Sequence, residues 1–394
     1  MAATAHVAWA ADLLGYDFGP EHPMAPLRLH LTIELARALG VLDADGVVVA
    51  DAGIAPDSLL ETVHTPEYVA AVHAASRGVR DVRRGLGTQD DPLFEDMHDA
   101  AARIVAGTVA AARAVWRGEA QHGVSVAGGM HHAMPDAASG FCIYNDAAVA
   151  IRALLDDGAE RVAYVDLDAH HGDGVQKVFW DEPRVLTVSV HESPASLFPH
   201  TGYPTETGGP HAPGGAVNVA LPARTRPEGW LRAIDGVVPE VLADFRPQVL
   251  VTQHGCDAHA HDPLSSLRVS TAALRAAARR MHGLAHQLCD GRWVALGGGG
   301  YSVVDVVPRV WASVLAEAAH VPVPAHTPIP EEWRELVRRE VGAEPPVVIH
   351  EDGDEQHADP SWSGRYDPAD DVDRAVMATR SAVFPLRGLH PEVY

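Results

Sequence analysis

Short valine-rich apolar runs recur along the chain at Val124–Ala127, Val162–Val165, Val185–Val190, Val217–Ala220, Val249–Thr252 and Trp293–Leu296. They are continuous rather than alternating, as expected of strands buried on both faces. Between several of them, Asp99–Trp116, Asp146–Leu155, Glu228–Ala243 and Thr271–Leu288 carry helical periodicity. This alternation predicts an α/β fold with a mostly parallel sheet flanked by helices on both faces. In such sheets ligands sit outside the carboxyl ends of the strands. The polar clusters of this chain each follow a strand run directly.

No internal repeat and no linker interrupts the pattern before about residue 320. Beyond it a helix is expected around Glu331–Val341, followed by Pro345-Pro346. Between Glu351 and Asp373 there are nine acidic residues against one arginine, which reads as an extended acidic tail. The expected division is a catalytic domain over 1–322 and, over 323–394, a helix and acidic extended tail packed on or off it.

Composition narrows the function without naming it. The chain has 394 residues, 47% hydrophobic and 21% charged, with a formal net charge of -23. That acidity disfavours nucleic acid as a direct ligand, because such binding begins by neutralising phosphates. Cys142, Cys256 and Cys289 are too few and scattered for a disulfide framework or a thiolate zinc cage, which suits a reducing cytosol. No basic leader with an apolar core opens the chain, and no apolar run approaches ~18 residues. A cytoplasmic protein away from membranes is the expectation; oligomeric state is not legible.

The candidate chemistry gathers after the strand runs. Asp166-Leu-Asp168-Ala-His170-His171-Gly-Asp173 follows the Val162 run. If the strand conformation continues that far, Asp166, Asp168 and His170 share one face, and a carboxylate with an imidazole there makes half of a divalent-metal site. Gly128-Gly129-Met130-His131-His132 follows the Val124 run, with Gly140-Phe141-Cys142 shortly after. Gln253-His254-Gly-Cys256-Asp257-Ala-His-Ala-His-Asp262-Pro-Leu264 follows the Val249 run, and Gly297-Gly298-Gly299-Gly300-Tyr301 follows Trp293–Leu296. Each segment alone has a bland reading: surface histidines, a helix N-cap, a plain turn. Together they bring metal ligands, bases and a phenol to one edge of a sheet.

In this order and spacing the segments resemble the histone deacetylase family, in its class I-like branch with the bacterial acetoin-utilisation deacetylases. The likeness spans roughly residues 5 to 320 and includes Tyr16-Asp-Phe-Gly-Pro-Glu-His22-Pro23-Met24 and Leu27-Arg28-Leu29. It implies a single arginase/deacetylase-like α/β domain with a mostly parallel sheet of about eight strands. It also implies that Asp168, His170 and Asp257 ligate the metal, that His131 pairs with Asp166 and His132 with Asp173, and that Tyr301 polarises the substrate carbonyl. Phe141 and Phe198 would flank an acyl-lysine tunnel, with Gly140 and Gly299 in the substrate site and Leu264 at the rim. Asp90, or Asp91 given the loose local register, would bind the substrate backbone. Ser189, Val190 and the segment of Asp166, Asp168 and His170 would hold a structural potassium ion. Met130 stands where relatives often carry leucine, and His254 and Cys256 replace smaller residues; no catalytic group is lost.

The chemistry is coherent with that residue set. A zinc ion lowers the pKa of water from about 15.7 to near 7 at best, and two carboxylate ligands weaken that effect, so a separate base is needed. His132 oriented by Asp173 suits the base and then the acid; His131 beside Asp166 suits a standing cation. Two carboxylates and one imidazole accept zinc, or ferrous iron. The expected substrate is an acetylated protein or peptide lysine, hydrolysed to lysine and acetate, with a link to acetoin or acetate metabolism. A dinuclear manganese ureohydrolase would need further carboxylates, where this chain has Gly172 and His259. An acetylpolyamine amidohydrolase would keep the mechanism and change the substrate. A silent acyl-lysine binding module would have lost a ligand, a dyad histidine or the tyrosine.

Overall fold

The six valine-rich runs become six of the eight strands of one sheet. The computed structural model describes residues 2–350, 362 and 366–392. Its strands are β1 (Ala3–Ala8), β2 (Val47–Ala50), β3 (Ala120–Ser125), β4 (Val162–Asp166), β5 (Val185–Glu192), β6 (Ala216–Leu221), β7 (Val249–Gln253) and β8 (Trp293–Leu296). They run in the order β2-β1-β3-β8-β7-β4-β5-β6, and every pairing is parallel. All residues of β4, β5, β7 and β8 are buried. Since side chains alternate across a strand, both faces of the sheet's centre are covered.

The cover comes from helices α1 (Leu27–Ala38), α2 (Asp57–Leu60), α3 (Pro66–Ala75), α4 (Met97–Trp116), α5 (Asp146–Asp156), α6 (Asp173–Phe179), α7 (Pro227–Phe245), α8 (Thr271–Leu288), α9 (Val307–Ala318), α10 (Glu331–Glu340) and α11 (Asp371–Val383). Helix α4 shows why such segments fold as they do. Fifteen of its twenty residues are buried, and alanine and glycine on that surface let it lie close against β1 and β3.

Four elements depart from the sequence expectation. β1 and β2 were not marked by apolar runs. β3 begins at Ala120, four residues before the expected start, because Gln121 and His122 break its apolar run. The acidic stretch does not stay extended to Asp373. Asp370 caps α11 by accepting from the amides of Val372 and Asp373, at 2.7 and 3.1 Å, and Asp371 and Asp373 occupy its first turn. Carboxylates there offset the positive helix end. The rest of the acidic stretch, 351–361 and 363–365, lies outside the described residues.

Both C-terminal helices rest on the sheet domain. The Trp333 indole of α10 donates to the Leu31 carbonyl at 2.8 Å. On α11 the Thr379 hydroxyl donates to the Asn218 carbonyl of β6 at 2.6 Å, and Arg380 pairs with Glu240. Among the described residues no helix is long and apolar enough to cross a membrane.

Candidate active site

Four neighbouring strands, β3, β8, β7 and β4, deliver the four motifs at their carboxyl ends. The segments around His131, Gly299, Asp257 and Asp168 therefore converge although they come from widely separated parts of the chain. The strand conformation does not persist past Asp166, contrary to the expectation of one shared strand face. The Asp166 carboxylate accepts from the Asp168 amide at 3.1 Å, and the Asp168 carboxylate from the His170 amide at 3.0 Å. Two successive Asx turns thus carry the chain onward, and they still bring Asp168 and His170 together.

His170 Nδ1 lies 2.9 Å from Asp257 Oδ2 and 3.2 Å from Asp168 Oδ1. The ligand atoms of the three residues fall within 4.8 Å of one another, and all three residues are buried. The other carboxylate oxygens are fixed by main-chain amides: Gly299 to Asp168 Oδ2 at 2.7 Å and Ala169 to Asp257 Oδ1 at 2.8 Å. Gly299 must be glycine, since a β-carbon there would collide with the Asp257 carboxylate. Burial and the charge of Asp168 push the Asp257 carboxyl above its ordinary range. Two buried carboxylates facing one imidazole call for a cation, and this donor set fits a divalent metal.

Beside this triad, His131 and His132 lie with ring centroids 3.9 Å apart. His131 Nδ1 donates to Asp166 at 2.7 Å, and His132 Nδ1 donates to Asp173 at 2.6 Å. Their environments push them apart. Burial alone would depress His131, but Asp166 and Asp168 hold it up to about 9. Burial and the adjacent His131 cation push His132 down to about 4 against the pull of Asp173. At neutral pH one ring is a cation and the other presents a free lone pair at Nε2. The loop carrying both is anchored by Asp146, which accepts from the amides of Gly129 and Met130 and from the Thr108 hydroxyl.

Asp168, His170, His131 and His132 line a pocket of about 260 Å³ together with Met130, Phe141, Phe198, Leu264 and Tyr301. The Phe141 ring stands edge-on to Tyr301 at 5.8 Å, and Phe198 edge-on to His132 at 5.1 Å. Burial and the charge of Asp257 raise the Tyr301 phenol well above its usual range, so it keeps its proton. Gly140 has φ 55° and a β-carbon there would press on the His132 ring, which restricts the position to glycine.

The two adjacent aspartates separate. Asp90 is exposed and lines the pocket mouth; Asp91 is 1% exposed and turned inward. For the expected potassium ligands, β5 pairs Ser189 with Asp166 in register and places Val190 next to it, both buried. His254 does not reach the pocket: its ring bonds Thr252 at 2.7 Å. Cys256 is fully buried under the glycine loop. Sequence reasoning missed the role of two buried residues. Arg28 binds the carbonyls of Gly298 and Gly300, and Asp262 accepts from the Tyr301 amide at 2.7 Å. Arg28 was visible only as part of the amino-terminal signature.

Comparison with known proteins decides the family. A model of the histone deacetylase domain matches residues 22–318. The chain belongs to the histone deacetylase family. The acetoin utilization protein AcuC of Bacillus subtilis (strain 168) is 43% identical over 322 residues, covering 81% of this chain and 82% of its own. AcuC of Staphylococcus xylosus is 35% identical over 337 residues, covering 84% and 87%. A crystal structure of an HDAC homolog complexed with SAHA superposes with a TM-score of 0.79 at 26% identity, over 96% of this chain and 100% of that one. This histone deacetylase family member is accordingly a hydrolase of the deacetylase type on a single-domain arginase/deacetylase fold.

Proposed function

We propose that the protein is a metal-dependent lysine deacetylase that cleaves the acetyl amide of N-ε-acetyl-lysine in proteins or peptides, giving lysine and acetate. One observation carries this reading: Asp168 and His170, two histidine–aspartate pairs and the Tyr301 phenol all meet at the floor of one aromatic-walled pocket. The likeness to AcuC proteins supports a link to acetoin utilisation; the wider link to acetate metabolism and action in the cytoplasm belong to the proposal.

Asp168, His170 and Asp257 would hold the ion, zinc or ferrous iron, which when bound polarises the amide carbonyl and acidifies the attacking water. Phe141 and Phe198 sandwich the neutral acyl-lysine stem, and Gly140 and Gly299 leave room beside it. Leu264 borders the entrance, where Asp90 accepts from amide groups of the substrate backbone. His132 takes the proton of the attacking water at Nε2, while its Nδ1–H stays on Asp173. It then gives the proton to the departing amine. His131, kept cationic by Asp166, and the Tyr301 hydroxyl stabilise the negative charge that develops on the carbonyl oxygen. The released lysine becomes a cation, which the apolar walls disfavour. Ser189, Val190 and the chain around Asp166, Asp168 and His170 would hold potassium beneath the site.

The test is amine release from a fluorogenic acetyl-lysine peptide, with and without a chelator, with acetylated polyamines assayed in parallel. Chelator-sensitive release from the peptide is expected. No release from either substrate leaves an acyl-lysine binding module, and release from polyamines alone transfers the mechanism to that substrate class.

A further inference from the structure

A second group of metal-ligating side chains lies at the opposite edge of the sheet. His122 sits on β3, paired in register with Trp293, the first residue of β8. It is therefore near the amino-terminal strand ends, away from the catalytic pocket at the carboxyl ends. His282 and His286 project from α8 one turn apart, and His320 follows the end of α9. The geometry points to a four-histidine site for a divalent transition-metal ion, formed by His122, His282, His286 and His320.

The distances are those of a coordination shell. Nε2 of His286 lies 3.0 Å from Nε2 of His282 and 3.3 Å from Nε2 of His122; Nε2 of His282 lies 3.3 Å from Nε2 of His320. Four nitrogens held tetrahedrally at ~2.0–2.1 Å from a metal are about 3.3 Å apart. All four candidate ligand atoms fall within 4.8 Å of one another. The six ring-to-ring distances span only 4.7–5.5 Å, so the rings surround a common point rather than forming a row.

The surroundings prepare the rings for this. His122 Nδ1 lies 2.7 Å from the Ala318 carbonyl, which can only accept. The proton is thereby fixed on Nδ1 and the Nε2 lone pair faces the cluster, the arrangement a metal-bound histidine takes when its other ring nitrogen donates to a carbonyl. The His282 ring stacks on Trp293 at 5.2 Å, and its Nδ1 faces Glu317 at 4.0 Å. His320 has φ 58°, at a helix end where glycine is the usual occupant, and that conformation returns its ring to the cluster. Burial and, to a lesser degree, the neighbouring rings push His122 down to about 3 and His282 to about 4. These rings are therefore neutral at pH 7, the form a metal binds. His286 and His320 are exposed, so an ion has a way in. An all-imidazole tetrahedral set suits Zn²⁺ and its stand-in Co²⁺ rather than Mg²⁺ or Ca²⁺. A bound ion would tie β3, α8 and the end of α9 together.

The site is separable from the catalytic one. Chelator-stripped Asp168→Asn/Asp257→Asn protein is titrated with Co²⁺ and its visible spectrum recorded. One equivalent with the strong bands of four-coordinate cobalt is expected, and no binding in that protein after adding His286→Ala and His320→Ala. Those two exposed changes should leave deacetylase activity intact when made in the otherwise native chain, and made in the Asp168→Asn/Asp257→Asn protein they should abolish the rise in thermal midpoint produced by Zn²⁺. An absence of cobalt binding in the catalytic-site variant would mean the rings only hydrogen-bond to one another and would overturn the proposal. Equal binding with and without His286 and His320 would overturn it as well.

Discussion

Arg28 on α1 donates to the carbonyl of Gly300 at 2.9 Å, across 272 positions of sequence, and to that of Gly298 at 3.2 Å. Its guanidinium also lies 5.6 Å from the Tyr301 ring centroid. The buried cation thus pins the glycine loop that positions the phenol. Removing it leaves two loop carbonyls without their donor, and hydrogen bonds to a charged group are worth about 1.5–3 kcal/mol. Arg28→Met is expected to lower kcat about 10- to 100-fold with the KM for acetyl-lysine peptide little changed. Steady-state kinetics on protein of verified metal content checks this; unchanged kcat would remove Arg28 from the positioning of Tyr301.

In the proposed mechanism Tyr301 supplies one of the donors aimed at the developing oxyanion. Loss of such a donor typically costs about 10²–10³ in turnover. Tyr301→Phe should show that loss while metal content, measured by elemental analysis, stays at the wild-type level. A mutant with wild-type turnover would exclude the phenol from the reaction.

Asp90 lies at the pocket mouth, where a peptide backbone would pass. Asp90→Ala should raise KM for acetyl-lysine peptides about tenfold, as expected for one lost charge-assisted hydrogen bond, with kcat nearly constant. A small acetylated amine without peptide amides should be indifferent to the change. Equal effects on both substrates would deny Asp90 its role in backbone recognition.

Asp91 should behave oppositely, as a matter of stability. Burial and the neighbouring Asp90 raise its carboxyl from the ordinary 3.8 to about 8. The folded state therefore holds a proton that the unfolded chain releases. The associated stability is complete below about pH 4 and is lost as pH rises through 8. Asp91→Asn removes the charge, so it should stabilise the protein by roughly 1–3 kcal/mol at pH 8 and by about nothing at pH 4. Urea unfolding at the two pH values checks it; a pH-independent difference would contradict the assignment.

The central sheet was legible because its strands are continuous apolar runs: β8 matches its expected bounds, and β4, β5, β6 and β7 differ by no more than two residues at either end. The residues of the candidate site were legible because each follows such a run. What escaped notice lacked that signature. β1 reads Ala-Thr-Ala-His-Val-Ala, without a run of large apolar residues, and β2 has only four residues, with Val48 and Val49 exposed at the sheet edge. In α11 the acidic residues were counted as a charge run, although Asp370, Asp371 and Asp373 sit where a helix start favours carboxylates. Arg28 and Asp262 act through backbone groups of distant loops, which no local spacing reveals.

β6 is the outermost strand on its side of the sheet, and α11 lies along it with Thr379 bonded to its Asn218 carbonyl. Unshielded, that border would offer a row of free amides and carbonyls to any passing extended chain. The C-terminal helix therefore acts as a guard against sticking. A truncated protein ending before Asp367 should keep every catalytic group and yet clump, so its chemistry would be lost to precipitation rather than to a missing residue.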